Sequence, residues 1–276
     1  MSGRIGLALR YVVLGGLGII WLLPIYLLLA NAGKLTSEYS GSELWSPGNL
    51  PALLSNVGEV FATTDVPSGL GVTFLYATIA PFIAVILGAG IGFAVIVLKL
   101  KHGFFWFFVV FCGTVFPLQI MVIPLFAAFS QIGLFDTFTG MTIVYAAVAT
   151  PFSAFVMRNF FAGIAETVFE AAVVDGASAW RIFTRIYLPM SRSALVVVFI
   201  LQATWVWNDL LLALVLTQSA STRPVMPLLA ALQSTEGGGS AYTVVLTAAL
   251  IVSIPTALLF MFTQRVFQRG LSLGQY

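Results

Sequence analysis

Six stretches of this chain carry no charged residue: 11–33, 66–98, 103–135, 137–157, 193–208 and 237–264. Most of them exceed the ~20 apolar residues with which a helix crosses ~30 Å of hydrocarbon. A protein folded in water needs a charged exterior. Here only 8% of the 276 residues are Asp, Glu, Lys or Arg, about a third of the roughly 25% usual in soluble domains. The runs are continuously apolar and do not alternate over ~10 residues, which excludes a transmembrane β-barrel. The chain therefore reads as an all-α polytopic membrane protein, one membrane domain over residues 1–276. Six transmembrane helices are expected, at about 11–30, 70–98, 104–130, 139–158, 193–216 and 242–264. The first has no small-residue cleavage site at its end and is expected to be retained.

The basic residues set the orientation. With the N terminus inside, the cytoplasmic side receives Arg4, Arg10, Lys99, Lys101, Arg158, Arg181, Arg185, Arg192, Arg265 and Arg269. The outside receives Lys34 and Arg223. That split predicts both termini in the cytoplasm. The net charge of +2 reflects this bias and not a face for nucleic acid. Cys112 is the only cysteine, so no disulfide forms, and it is expected as a small buried hydrophobe.

The chemistry of an enzyme is missing. No His-Glu-x-x-His, Gly-x-Ser-x-Gly or phosphate-binding Gly-x-x-x-x-Gly-Lys-Ser/Thr occurs, so neither catalytic nor metal-ligating residues are assigned. His102 reads as a polar residue at the membrane interface. Proton relays need ionisable groups inside the bilayer, and Asp209 is the sole plausible one here. An ion-coupled carrier or a channel acting alone is thus the weaker alternative. Transport, if that is the task, must draw its energy from another chain. Gly88 and Gly92 form a G-x-x-x-G read as close helix packing. Prolines 24, 81, 117, 124, 151 and 255 are expected to kink spans or, alternatively, to hinge them.

Residues 159–192 join the fourth and fifth spans on the inner side. Glu166 to Val174 reads as a short helix whose N-terminal carboxylate suits the dipole, with Glu170 one turn on. Ala171 and Ala172 are expected to leave its surface shallow for a partner. Asp175-Gly176 breaks the helix, with Gly176 in a left-handed cap. Ser178 caps a second helix from Ala179 to about Leu188, ended by Pro189. Ile182, Phe183, Ile186 and Tyr187 share one of its faces, Arg181 and Arg185 another. The unit is a helix-turn-helix. Periodicity alone allows an amphipathic loop on an anionic leaflet equally well.

The residues Glu170-Ala171-Ala172, Asp175-Gly176-Ala177 and Ile186-Tyr187-Leu188-Pro189 resemble the EAA loop of ATP-binding-cassette importer permeases. Pro117-Leu118-Gln119, Ile123-Pro124-Leu125, Gly133 to Thr137, Trp207-Asn208-Asp209-Leu210 and Gln264 to Phe267 are similar to the maltose-type carbohydrate permeases. The likeness covers about 115–270. It implies a permease subunit of a binding-protein-dependent importer of a carbohydrate or polyol, in the bacterial or archaeal cytoplasmic membrane. It also implies that the loop 159–192 inserts into an ATPase subunit, with Glu170 making polar contacts and Gly176 permitting the turn. The implied partners are a second, homologous permease, two ATP-binding-cassette subunits and an external solute-binding protein. ATP and magnesium would bind the ATPases, leaving no cofactor in this chain. Ala165 and Ser193 depart from the family, which often has proline at both places, and the tail 271–276 lacks the common basic ending.

The external loop 217–241, with Gly237-Gly238-Gly239, corresponds to one that reaches into the solute-binding protein in those relatives; it could equally be slack. Gln119, Gln202, Trp205, Trp207, Asn208 and Asp209 could line a polyol pathway, since sugars favour amides, carboxylates and aromatic faces. Each could instead hold helices together.

Overall fold

The structure, a computed structural model, describes residues 2–235 and 242–272. Among the described residues the regular structure is helical. The chain divides into two compact units, one of residues 1–67 with 228–254 and the other of 68–227 with 255–276.

The first unit begins with α1 (Ser2–Ala32), which contains Pro24. Its apolar side chains from Leu9 to Ile25 are exposed, a surface that only lipid or another apolar face can cover. The following loop is not slack. Lys34 is buried, and its Nζ donates to Asn31 Oδ1 at 2.9 Å and to the Glu43 carbonyl at 2.6 Å. Asn49 caps α2 (Leu50–Thr63) by accepting the Ala52 amide at 2.8 Å. From within α2, buried Asn56 donates to the carbonyls of Ala32 and Lys34, both at 2.8 Å. Between the first two expected spans, side chains thus satisfy the backbone well enough to hold a 14-residue helix.

The second unit carries α3 (Val66–Ile96), α4 (Gly103–Cys112), α5 (Leu118–Gln131) and α6 (Phe138–Ala162). The elements after them are α7 (Glu166–Val174), α8 (Ala179–Ile182), a π-helical turn (Phe183–Tyr187), α9 (Leu188–Met190), α10 (Arg192–Trp207) and α11 (Leu211–Leu216). Helices α12 (Val225–Thr235) and α13 (Tyr242–Ser272) complete the chain. The glycine motif works as expected. A Cβ on Gly88 would lie 2.6 Å from Ser153, and one on Gly92 2.7 Å from the Arg158 amide, whereas Gly90 faces open space. Helices α3 and α6 therefore meet backbone to backbone.

Among the described residues four helices, at 9–32, 66–96, 138–162 and 242–261, are long and apolar enough to cross a membrane; the pair 179–190 and 192–207, bent by 76°, would be a fifth. The two remaining expected spans are interrupted. The expected span 104–130 is split by residues 113–117, and 193–216 by 208–210. Pro117 cannot donate the amide that the Gly113 carbonyl would take, which accounts for the first break. Cys112 stands at that break and is half-exposed, not buried as expected.

Candidate functional site

The elbow 159–192 is built around α7. Gly176 adopts φ +73°, the left-handed conformation expected of it. Its N–H donates to the Val173 carbonyl at 2.9 Å, and that of Ala177 to Ala172 at 3.0 Å. Ser178 caps α8 by accepting the Arg181 amide at 3.4 Å. Beyond it the helix is not stopped by Pro189. The π-helical turn shifts the hydrogen-bond ladder, the Leu188 amide donates to the Phe183 carbonyl, and Pro189 sits in the first turn of α9, where no N–H is needed. Ser191 ends the segment, its buried hydroxyl donating to the Tyr187 carbonyl at 2.8 Å.

Ile182, Phe183 and Tyr187 are buried with Phe93 of α3 and Phe161 of α6. Ring centroids lie 5.1 Å apart for Phe93–Phe183, 5.2 Å for Phe93–Tyr187 and 5.5 Å for Phe161–Tyr187. The elbow is thus fixed to the helices by aromatic packing. Ala171 is exposed, but Ala172 packs into this cluster, so only one of the two alanines offers the shallow surface expected of both. The opposite side presents Glu170, Asp175, Arg181 and Arg185 around Val174, which is 87% exposed, and Trp180, which is 72% exposed.

Lys99, between α3 and α4, donates to Glu166 in the first turn of α7. That hydrogen bond, with the carboxylate's charge, raises the lysine above its ordinary value. From sequence Lys99 serves only to orient the chain. Its φ of +49° and the +59° of His102 mark a tight turn whose sequence carries no glycine until Gly103.

On the other side of the fold, Asp136 has φ +54° at the turn between α5 and α6. Its carboxylate accepts the amides of Gln218 at 2.8 Å and Ser219 at 3.0 Å, and the Thr222 hydroxyl. Burial pushes this carboxyl up, but the hydrogen bonds from Gln218, Thr222 and Ser219 outweigh it and hold it below the usual aspartate value. Residues 217–224 are therefore clamped, and α12 follows them. Gly237-Gly238-Gly239 and residues 273–276 of the tail lie outside the described residues.

The pathway candidates do not converge on one place. Asp209 is 9% exposed and fully engaged. It accepts the Tyr145 hydroxyl at 3.0 Å and the Ala213 amide at 3.0 Å, with Leu212 at 3.5 Å, and so caps α11. Asn208 donates to the Thr204 carbonyl at 2.8 Å, and Gln119 is exposed on α5. Trp207 is buried in the core with Tyr145. Gln202 and Trp205 do come together, lining a cleft of about 360 Å³ at the α4–α5 break with Thr114, Phe116 and Phe152. Sequence reasoning missed Thr114; the Pro117 beside it was the available signal.

A family model described as "Binding-protein-dependent transport system inner membrane component" matches residues 84–272. The osmoprotective compounds uptake permease protein GgtD of Synechocystis is 32% identical over 92% of this chain and 87% of its own length. The diacetylchitobiose uptake system permease protein NgcG of Streptomyces coelicolor is 28% identical over 94% and 85%. The sn-glycerol-3-phosphate transport system permease protein UgpE of Yersinia pestis is 28% identical over 91% and 90%. A solved structure of a bacterial ABC transporter involved in the import of the acidic polysaccharide alginate superimposes with a TM-score of 0.80, covering 96% of this chain and 97% of that one. At 22% identity it establishes the fold.

Proposed function

The chain belongs to the family of binding-protein-dependent transport system inner membrane components, and from that premise we propose that it is the permease subunit of an ATP-driven importer of a carbohydrate or related polyol. It is a transporter component and not a catalytic enzyme. Similarity to uptake permeases for osmoprotective compounds, diacetylchitobiose and sn-glycerol 3-phosphate supports this substrate range. The chain makes six crossings of the cytoplasmic membrane with both termini inside, α4 with α5 forming the third and α10 with α11 the fifth. It pairs with a second, homologous permease. ATP and magnesium belong to two separate ATPase subunits, and a solute-binding protein delivers cargo to the outer face.

One observation carries the coupling assignment. The elbow 159–192 is locked to α3 and α6 by its aromatic side, while Val174 and Trp180 stand exposed on the other, flanked by Glu170 and Arg181. A loop resting on lipid headgroups would turn its large apolar groups toward the acyl chains. An exposed apolar tip on a rigid base suits a protein groove. ATP binding closes the ATPases, and the base converts that movement into displacement of α3 and α6.

In vesicles holding the full complex, Gly176→Pro and Glu170→Lys are expected to abolish ATP-coupled uptake, and Trp180→Asp to release the ATPase on purification. Full uptake in both loop variants would remove the docking assignment. Uptake by this chain alone on an ion gradient would favour a self-contained carrier.

A further inference from the structure

The α4–α5 break places non-helical backbone midway along a crossing. The ten residues of α4, at about 1.5 Å each, set residues 113–117 about 15 Å beyond the turn at Lys99–His102, half of the ~30 Å hydrocarbon depth. Gln202 lies ten residues after Arg192, at a similar depth. Unwound backbone at that level is tolerated only where protein covers it or where it lines a watery cavity.

The cleft beside the break points to the second case. Gln202 is 7% exposed, yet among the described residues its amide finds no hydrogen-bond partner. The Trp205 indole N–H has none either. Thr114 donates to the Phe111 carbonyl at 2.8 Å and keeps its lone pairs free. An amide left dry at mid-membrane carries its full desolvation penalty. This cleft, by contrast, has a volume of about 360 Å³, within the ~300–1,000 Å³ of small-molecule sites.

We propose that the transported solute touches this subunit at the cleft of Thr114, Gln202 and Trp205, and that the cleft selects an uncharged saccharide or polyol over an anionic one. The inference rests on the importer function proposed above. An amide offers a donor and an acceptor to neighbouring hydroxyls, and the faces of Trp205, Phe116 and Phe152 suit the C–H face of a sugar ring. Among the described residues no charged side chain lines the cleft to balance a phosphate or carboxylate, and an unpaired anion there is strongly disfavoured.

The test uses the complete transporter in vesicles, with this chain carrying Cys112→Ser and Thr114→Cys. A membrane-impermeant methanethiosulfonate is applied during ATP turnover, with maltose, trehalose or sn-glycerol 3-phosphate as protecting probe. Modification is expected, slowed about tenfold by at least one of the neutral disaccharides and not by the phosphate. An unreactive thiol, protection by the phosphate alone, or protection by none of the three overturns the proposal. Gln202→Cys in the same background is scored identically, in case Thr114→Cys fails to assemble. Gln202→Leu should raise the KM for the protecting sugar about tenfold with a smaller change in maximal rate, the signature of a lost contact. An unmodified thiol beside normal ATP-driven uptake would sink the cleft alone; uptake that persists when this chain is omitted would sink the importer function itself.

Discussion

Glu166 and Asp209 are both carboxylates at the start of a helix, and both tie that helix to a distant part of the chain. Glu166 does so in water. It pairs with Lys99 while the two side chains remain 60% and 70% exposed. Asp209 does so in an apolar interior, 9% exposed, accepting from Tyr145 and from the first amides of α11. Water competes for the first pair and salt screens it. Nothing replaces the second set of bonds if the carboxylate is removed. The elbow therefore depends on Phe93, Phe161 and Tyr187 for its anchorage, with Glu166 setting only its approach, whereas α11 depends on Asp209 itself.

The largest expected effect follows from that contrast. Asp209→Ala leaves the Tyr145 hydroxyl and two α11 amides without an acceptor, at about 1–3 kcal/mol for each buried group. The thermal midpoint of the purified complex should fall steeply, with Asp209→Asn recovering much of the loss because its amide oxygen still accepts. Asp136 occupies the middle ground. Its carboxyl is held low in the folded protein, so its contribution is complete above the unfolded value and is lost as pH falls through the lowered one. Hydrogen exchange over 217–222, corrected for intrinsic rates, should show protection at neutral pH that fails in acid below about pH 4. Asp136→Asn should remove that pH dependence. Lys99→Ala should matter least. The pair is intact below the ordinary lysine value and is lost only as pH rises through the raised one, so no titration is expected near neutrality, and high salt should erase the difference from wild type. Equal losses from Lys99→Ala and Asp209→Ala would break the comparison.

Much of the elbow is legible in its local residue pattern. Gly176 takes the left-handed cap, Ser178 caps α8, and Ile182, Phe183 and Tyr187 turn inward while Arg181 and Arg185 stay out. These follow from local rules, a period of 3.6 and the demands of helix ends, which the residues themselves carry. Two expectations failed for a different reason. Ala171 and Ala172 are chemically identical, and only packing against the α3–α6 aromatics decides that Ala172 is inside. Pro189 signals a stop, but the π-helical turn before it places the proline where a helix begins. The uncharged runs reveal crossings, but of their interruptions only Pro117 gives a sign, because Asn208 and Thr114 are as compatible with a continuous apolar segment as with a break.

The sequence by itself determined that this chain lives in a bilayer and breaks its apolar runs with an elbow of short helices at 159–192, because the absence of charge and the spacing of apolar residues are written locally. Only the tertiary structure decided which polar groups are already satisfied. Tyr145 is 64 residues from Asp209 and Lys99 is 67 from Glu166, and no local pattern announces either partnership. Among the described residues, the same long-range packing that uses up Asp209 leaves the Gln202 amide without a partner, and in a medium that cannot hydrogen-bond, that difference separates a satisfied carboxylate from an unsatisfied amide.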